Sequence, residues 1–311
     1  MNLRHLEYFT EIAKQGSITA AAEKLYVSQS AVNQYLLKLE KELGTQLFTR
    51  NKKGLTLTEA GQIYLEGCKK ILLLRDDTYK KINDLTGTAK ASLRVGLTPT
   101  RGLYMFSAVY WDMAKRFEGL TITPIEMDAR SQHRAIKNGE IDIGLMMIQE
   151  CQRNPELSYT NLGREEILLL VPATHPACKD YPQVASSLPT AELADFADMP
   201  FVTQQQGSTF KEVCDDIIEK AGFAPNLLFE TSNTGHLAEF AKTGQCCALV
   251  PNFYVDYNDP HYRVFSISTH PSWNLYIAYR NKTYLSKAAK AFIEVSKEFW
   301  QNEIRFKLMH K

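Results

Sequence analysis

The chain has 311 residues, of which 44% are hydrophobic and 23% charged, a balance typical of ordinary globular proteins rather than disordered ones. Its length predicts two or three domains and a core that needs no disulfide bonds. Basic and acidic side chains number 36 and 35, and the resulting net charge of +1, taken alone, argues against a nucleic-acid partner.

Membrane insertion and secretion are not expected. No apolar run approaches the roughly 18 residues that a membrane span needs, and residues 1–7 have no apolar signal core. We therefore expect a cytoplasmic protein with no membrane partner. Six cysteines are scattered without a Cys-x-x-Cys pair, and we expect reduced, mostly buried thiols at Cys68, Cys151, Cys178, Cys214, Cys246 and Cys247.

The charge is unevenly distributed along the chain. Residues 1–90 hold 14 basic and 10 acidic side chains, whereas residues 91–311 hold 22 and 25. The first third therefore carries +4 and the remainder −3, as expected for a basic binding module joined to an acidic body. An excess of four charges over ninety residues is also compatible with chance.

Three helices are predicted at the start of the chain. Apolar side chains at helical spacing predict helices over residues 3–14, Ile18–Leu25 and Gln29–Leu43. Ser17 and Ser28 are placed to cap the second and third of these helices. The short turn between them is typical of a helix-turn-helix, in which the later helix enters the major groove of DNA.

The N-terminal residues of the third helix predict base contacts. Amides can bond adenine at two atoms, and hydroxyls can bond several base edges. The candidate residues for DNA contact here are Ser28, Gln29, Ser30, Asn33 and Gln34. A small helical bundle with polar caps is the alternative interpretation.

A basic hairpin follows the third helix. Leu47-Phe48 and Leu55–Leu57 predict two short strands around a tip that contains Lys52 and Lys53. Such a tip suits a wing that rests on phosphate, although a solvated charged turn has the same pattern. Arg50 and Arg4 are the further candidates for phosphate contact.

This region resembles the LysR-type transcriptional regulators. The matching residues follow the family's order and spacing across the winged helix: Leu6–Phe9, Gly16–Leu25, Val27–Val32, Leu39–Gly44, Leu47-Phe48, Arg50 and Leu57–Gly61. The family commonly has Ser-Arg where this chain has Asn33-Gln34, which implies an altered base preference. The resemblance implies a sequence-specific DNA-binding regulator that is a homodimer or homotetramer and not an enzyme.

A long helix without proline is predicted from Thr58 to about Leu85. Apolar residues at alternating spacings of three and four form a coiled-coil-like seam, which comprises Leu57, Ala60, Tyr64, Gly67, Ile71, Leu74, Thr78, Ile82 and Leu85. The resemblance implies that this helix dimerises two DNA-binding heads. Burial of the seam within one chain is the alternative.

Strands alternate with helices in the remaining two thirds, which predicts two α/β lobes in tandem. The chain is expected to cross back to the first lobe near Val264, leaving a cleft where the strands end. We therefore predict a protein of the α/β fold class with three parts. These are a winged helix-turn-helix (1–58), a linker helix (59–88) and a two-lobed domain (89–311). Lobe I covers about 91–163 and 265–311, and lobe II about 164–264.

The two-lobed part resembles the effector-binding domain of the same family, which has the architecture of periplasmic solute-binding proteins. The matching residues are Leu93–Gly96 with Thr98 and Thr100, Gly139–Gly144, Leu168–Pro172 with His175-Pro176, and Gly244 with Ala248–Pro251. Hydroxyls and backbone N–H groups at helix starts suit a polar or carboxylate-bearing effector. Carried over by position, the effector-binding residues are Thr98, Pro99, Thr100, Asp128, Ser131, Thr203, Gln204, Ser208, Thr209, Thr231, Ser232, Asn233 and Val250.

Catalytic and metal-binding signatures are missing from the sequence. It has no nucleophile elbow, phosphate-binding loop, zinc-protease motif or dinucleotide fingerprint, and its seven histidines lack ligand spacing. We therefore expect no cofactor and no metal. A redox-sensing regulator using cysteines such as Cys246-Cys247 is one alternative, and a solute-binding module without DNA function is another.

Overall fold

In the computed structural model, the described residues are 3–51, 54–87, 91–179 and 188–309, with side chains described as far as residue 301. The chain divides into two compact units, Met1–Thr88 and Ala89–Lys311. The predicted wing-tip lysines, Lys52 and Lys53, lie outside the described residues.

The first unit is a winged helix-turn-helix followed by a long helix. Its elements are α1 (Leu3–Gln15), α2 (Ile18–Lys24), α3 (Gln29–Leu43), β1 (Phe48–Asn51), β2 (Gly54–Leu57) and α4 (Glu59–Thr86). The capping predictions are confirmed, because the Ser17 and Ser28 side chains accept hydrogen bonds from the amides of Ala20 and Ala31. Gly44 ends α3 in the left-handed conformation, with φ +67°.

The core of the first unit extends into α4. Leu6, Phe9 and Ile12 of α1 are fully buried, and the Phe9 ring meets Tyr64 of α4 at 4.7 Å between centroids. Arg75, further along α4, forms a 2.6 Å ion pair with Glu7 of α1. The first half of α4 is therefore part of the winged head.

The predicted seam of α4 divides at its middle. Ala60, Tyr64 and Ile71 pack against the core of the same unit. Leu74 and Leu85 remain 67% and 86% exposed. Burial within one chain therefore accounts for the first half of the seam, whereas Leu74 and Leu85 of its second half stay exposed among the described residues of this unit.

The second unit contains ten strands and five helices among its described residues. The helices are α5 (Arg101–Arg116), α6 (Ala129–Lys137), α7 (Thr209–Ala221), α8 (Thr234–Ala241) and α9 (Lys287–Met309). The strands are β3 (Ser92–Leu97), β4 (Thr121–Glu126), β5 (Ile143–Ile148), β6 (Leu157–Pro172), β7 (Thr190–Ala191), β8 (Pro200–Gln204), β9 (Asn226–Thr231), β10 (Cys247–Pro251), β11 (Tyr262–Ile267) and β12 (Ser272–Arg280).

These strands form two lobes that share β6. Lobe I has the order β4-β3-β5-β12-β6, with parallel pairs among β3, β4 and β5 and an antiparallel β12. In lobe II, β6 lies between β10 and β11, and β8 and β9 continue the sheet beyond β10. The two-lobed α/β architecture predicted from the sequence is confirmed.

The return to lobe I comes later than the sequence predicts. Phe265 and Ser266 still pair with the lobe II half of β6, and Ile267 pairs with β7. The chain re-enters lobe I only where β12 begins, at Ser272. The boundary expected near Val264 is therefore corrected by several residues, because all of β11 completes the second sheet.

Candidate functional site

A groove of about 590 Å³ lies between the start of α3, the turn before α2 and the wing formed by β1 and β2. Gln29, Ser30 and Asn33 of α3 line one side, and Arg50 and Asn51 of the wing line the other. Asn33 follows Gln29 by four residues and Ser30 by three, and residues at these spacings are neighbours on a helix surface, which explains why the three α3 side chains meet the groove together. The groove brings amide, hydroxyl and guanidinium donors to one concave surface.

Two glycines hold the wing against the helices. The amide of Leu55 donates to the carbonyl of Gly16 at 2.8 Å, and a Cβ at Gly54 would lie 2.6 Å from that carbonyl oxygen. Gly54 also has φ +118°, a conformation that other residues rarely adopt. This close backbone approach fixes Arg50 beside the start of α3.

Three further predicted DNA contacts, Ser28, Gln34 and Arg4, do not line this groove. Ser28 caps α3 through its side chain. Gln34 is exposed on the neighbouring face of α3, and Arg4 is exposed on α1 with its guanidinium 6.0 Å from the Tyr8 ring. Of the predicted contacts whose structure is described, four line the groove: Gln29, Ser30, Asn33 and Arg50.

A second cavity, of about 440 Å³, lies between the lobes of the second unit. It receives the ends of β3 and β8 and the starts of α6, α7 and α8. Of the predicted effector residues, those that line it are Thr98, Pro99, Asp128, Ser131, Gln204, Ser208, Thr209, Ser232 and Asn233. Predicted positions up to 135 residues apart therefore converge on one cavity.

A buried ion pair lies at the inner wall of this cavity. Arg101 and Glu165 contact each other, and both side chains are about 95% buried. The Trp273 indole N–H donates to Glu165 at 3.3 Å, and the Arg101 guanidinium lies 3.3 Å from the Phe253 ring centroid. The hydrogen bond and the ring contact help to compensate both charges for the loss of water.

Helix starts supply much of the cavity's polar surface. Asp128 caps α6 and accepts hydrogen bonds from the Ser131 amide at 2.9 Å and hydroxyl at 2.6 Å. Burial opposes ionisation of Asp128, but the hydrogen bonds from Ser131 and the nearby charge of Arg134 outweigh it and lower the pKa of the carboxyl. Asn233 caps α8 by accepting from the Gly235 amide at 2.9 Å.

Side chains also bridge the two lobes beside the cavity. Arg130 of α6 contacts Glu212 of α7, and Gln152 donates to the other Glu212 oxygen at 2.7 Å. Near the start of α5, the Asn233 amide donates to the Thr100 hydroxyl at 3.4 Å. These contacts connect lobe I to lobe II at the edge of the cavity.

Four predicted effector residues do not line the cavity. Thr203 and Val250 are buried on β8 and β10, and the side chain of Thr203 points away because neighbouring Gln204 faces the cavity. Thr231 ends β9, and its hydroxyl lies 3.2 Å from His236 Nδ1 of α8. Thr100 stands beside the cavity through its contact with Asn233.

Sequence reasoning missed the charged and aromatic part of the cavity lining. Arg130 and Arg134 are four residues apart on α6 and share a helix face, a periodicity that could have identified them. Tyr254 and Trp273 belong to segments that are distant in the sequence, and no local pattern predicts that they line the cavity. The remaining missed residues are Arg101, Ala129, Met147, Glu165, Gln205, Gln206, Gly207, Phe210 and Thr234.

The cysteines have the character of buried thiols. Five are buried, and only Cys151 is exposed. Burial raises the pKa of Cys68 to about 11 and also raises the pKa of both Cys246 and Cys247. These thiols are therefore protonated near neutral pH, a state that disfavours oxidation.

The described residues contain neither a metal-binding cluster nor a membrane-spanning helix. No three His, Cys, Asp or Glu side chains in these residues are grouped so that they could hold a metal ion. Within the same part of the chain, no helix has the length and apolarity needed to cross a membrane.

Two protein families match this sequence. Residues 3–62 match the family described as "Bacterial regulatory helix-turn-helix protein, lysR family". Residues 86–301 match the family described as "LysR substrate binding domain". Together the matches cover both structural units.

Individual relatives extend over nearly the whole chain. The uncharacterized HTH-type transcriptional regulator YcgK of Bacillus subtilis is 28% identical over 308 residues, which covers 96% of this chain and 94% of that protein. A full-length OxyR variant from Pseudomonas aeruginosa has a TM-score of 0.66 at 23% identity, covering 96% of this chain and 97% of that one. Full-length CbnR complexed with its target DNA has a TM-score of 0.57 at 21% identity, with 96% and 100% covered.

Proposed function

The chain belongs to the LysR family of DNA-binding transcriptional regulators, and we propose that its base-reading surface is the groove between α3 and the wing. In this proposal Gln29, Ser30 and Asn33 read base edges, while Arg50 contacts phosphate. We also propose that the interlobe cavity binds a small polar effector with a carboxylate group. Effector binding would then control the DNA-bound state.

The observation that carries the DNA proposal is the shared groove. Three polar side chains at the start of α3 face the same surface as a wing arginine. In helix-turn-helix proteins the N-terminal residues of the second helix contact bases, and flanking basic groups contact phosphate. The exposed Gln29 amide can donate to and accept from adenine at the same time.

The carboxylate proposal is based on the donors that surround the interlobe cavity. Arg130 and Arg134 line it from lobe I, and Ser208 and Thr209 line it from lobe II at the start of α7. Helix starts and guanidinium groups both favour anionic ligands. A volume of about 440 Å³ suits a metabolite rather than a polymer.

The DNA proposal is tested with Gln29→Ala in the full-length protein. The probes are a duplex selected by the parent protein from a random library and a scrambled duplex of equal length. We expect Gln29→Ala to weaken binding to the selected duplex by about 1–3 kcal/mol and to leave binding to the scrambled duplex nearly unchanged. Gln62→Ala, an exposed glutamine of α4, is the control.

An equal loss on both duplexes would contradict base reading by Gln29. Gln34→Ala provides a further comparison, because Gln34 is exposed on α3 but does not line the groove. If only Gln34→Ala lost specificity, the base-reading surface would lie on the face of α3 that carries Gln34 and not in the groove.

The effector proposal is tested by a thermal-shift screen with aliphatic carboxylates, amino acids and aromatic acids. A compound that raises the Tm of the parent protein should have a smaller effect on Arg134→Gln. The control is Arg116→Gln, which removes an exposed arginine paired with Glu298 outside the cavity. A shift that Arg134→Gln and Arg116→Gln retain equally would contradict the cavity as the binding site.

A further inference from the structure

Tyr26 is an unusually exposed aromatic residue in the turn between α2 and α3. Its side chain is 95% exposed, compared with 63% for Tyr79 on α4. Its hydroxyl makes no hydrogen bond with any residue that the structure describes. Burial within the folded unit therefore gives no reason for an aromatic side chain at this position.

The backbone of Tyr26 is also unfavourable for tyrosine. Its φ is +54°, in the left-handed region where glycine and asparagine are favoured and bulky residues are rare. The turn fixes this conformation, since the Val27 amide donates to the Ala22 carbonyl at 3.0 Å and the Tyr26 amide donates to the Glu23 carbonyl at 3.2 Å. Strained residues of this kind occur often at functional sites.

The position of Tyr26 indicates which partner its side chain meets. It precedes the Ser28 cap by two residues and Gln29, which lines the groove, by three. The start of α3 carries the positive end of the helix dipole, which attracts phosphate. Tyrosine hydroxyls are among the donors that contact phosphate oxygens in DNA complexes.

We propose that the Tyr26 hydroxyl donates a hydrogen bond to a DNA phosphate next to the base pairs that α3 reads. This inference rests on the proposed placement of DNA along the groove. Because the contact is to the backbone, it contributes affinity for every sequence. Because tyrosine is neutral, the contact displaces no counterion and leaves the salt dependence of binding unchanged.

The test uses the full-length protein and labelled forms of both the selected and the scrambled duplex, with anisotropy measured over a range of salt concentrations. Tyr26→Phe removes only the hydroxyl, and we expect about 2- to 12-fold weaker binding with an unchanged slope of log affinity against log salt. Tyr26→Asn should weaken binding at least as much and raise the Tm, because asparagine suits the left-handed conformation. Tyr79→Phe is the matched control and should bind like the parent protein.

If Tyr26→Phe bound DNA with the same affinity as the parent protein, the inference would be overturned. That result would indicate that the exposed ring contacts another protein or has no binding partner. A loss confined to one duplex sequence would also overturn it, because that result indicates a base contact. If Tyr26→Phe binds like the parent while Gln29→Ala loses specificity, only the Tyr26 inference fails. If Gln29→Ala also keeps its specificity, the proposed groove fails as well.

Discussion

Two glycines on α4, six residues apart, have opposite surroundings. A Cβ at Gly61 would collide with the carbonyl oxygen of Leu47, whereas a Cβ at Gly67 would meet nothing within 4 Å. We expect Gly61→Ala to lower the free energy of unfolding by about 1–3 kcal/mol, since the obstacle is backbone. Gly67→Ala should raise it by about 0.5–1 kcal/mol, because alanine is the better helix former.

Chemical denaturation of the full-length protein measures both effects, and Gly67→Ala is the matched control for Gly61→Ala. The two substitutions add the same methyl group to the same helix, so helix propensity cancels in their comparison. A shift of equal sign and size in both variants would contradict the close packing of Gly61 against Leu47.

Residues whose roles are local could be predicted from the sequence. Ser17 and Ser28 both stand at the starts of helices, and capping depends only on neighbours within three positions. Thr203 and Val250 do not line the cavity. Side chains alternate between the two faces of a strand, and the sequence does not show which face meets the cavity. That choice is set by tertiary structure.

At the level of elements, the Arg101–Glu165 pair joins the start of α5 to the middle of β6. Both side chains are almost fully buried. Glu165→Gln leaves the guanidinium charge in an apolar environment, so we expect about 3–5 kcal/mol of destabilisation. The exposed pair Arg116–Glu298 provides the control, and Glu298→Gln should cost no more than about 1 kcal/mol.

The double variant Arg101→Met/Glu165→Leu tests the reason for this cost. It removes both charges and should recover most of the stability lost by Glu165→Gln. Denaturant midpoints for the three variants and the parent give the comparison. If Glu165→Gln costs as little as Glu298→Gln, water or another side chain solvates Arg101, and the pair does not join α5 to β6.

The full length of β6 could not be predicted from the local sequence pattern. The apolar stretch Ile167–Val171 alone has the sequence pattern of a buried strand, whereas β6 runs from Leu157 to Pro172. The preceding Arg164-Glu165-Glu166 has the charge pattern of a loop. It is extended because β12 pairs along it from Arg280 to Ser272, and the charge of Glu165 is compensated by a residue 64 positions away.

At the level of the whole molecule, the net charge of +1 conceals a division between a basic head and an acidic body. Order and spacing in the first sixty residues identified the family, and the alternation of strands and helices gave the two lobes. The contacts that bridge the lobes, such as Arg130 with Glu212, were beyond sequence reasoning because they join separate helices across the cavity.

The second half of α4 carries an exposed apolar stripe that is suited to assembly with a second copy of the chain. Leu74, Ile82 and Leu85 are 67%, 50% and 86% exposed within one chain and continue the coiled-coil-like spacing of the seam. A second copy of α4 would bury this stripe and bring two basic heads to one duplex. We therefore expect Leu74→Ser/Leu85→Ser to convert a dimer into a monomer, as measured by light scattering after size exclusion.

The same variant should change how DNA binding depends on salt. Each phosphate contact releases counterions, so a monomer with one head should give about half the dimer's slope of log affinity against log salt on a random duplex. Serine carries no charge, so a reduced slope reflects the number of heads and not the charge of the variant. Ile63→Ser, an exposed apolar position of α4 outside the seam, should keep both the dimer and the slope. A double variant that stays dimeric would place the interface outside α4, because the helix would then have lost its apolar stripe without consequence for assembly.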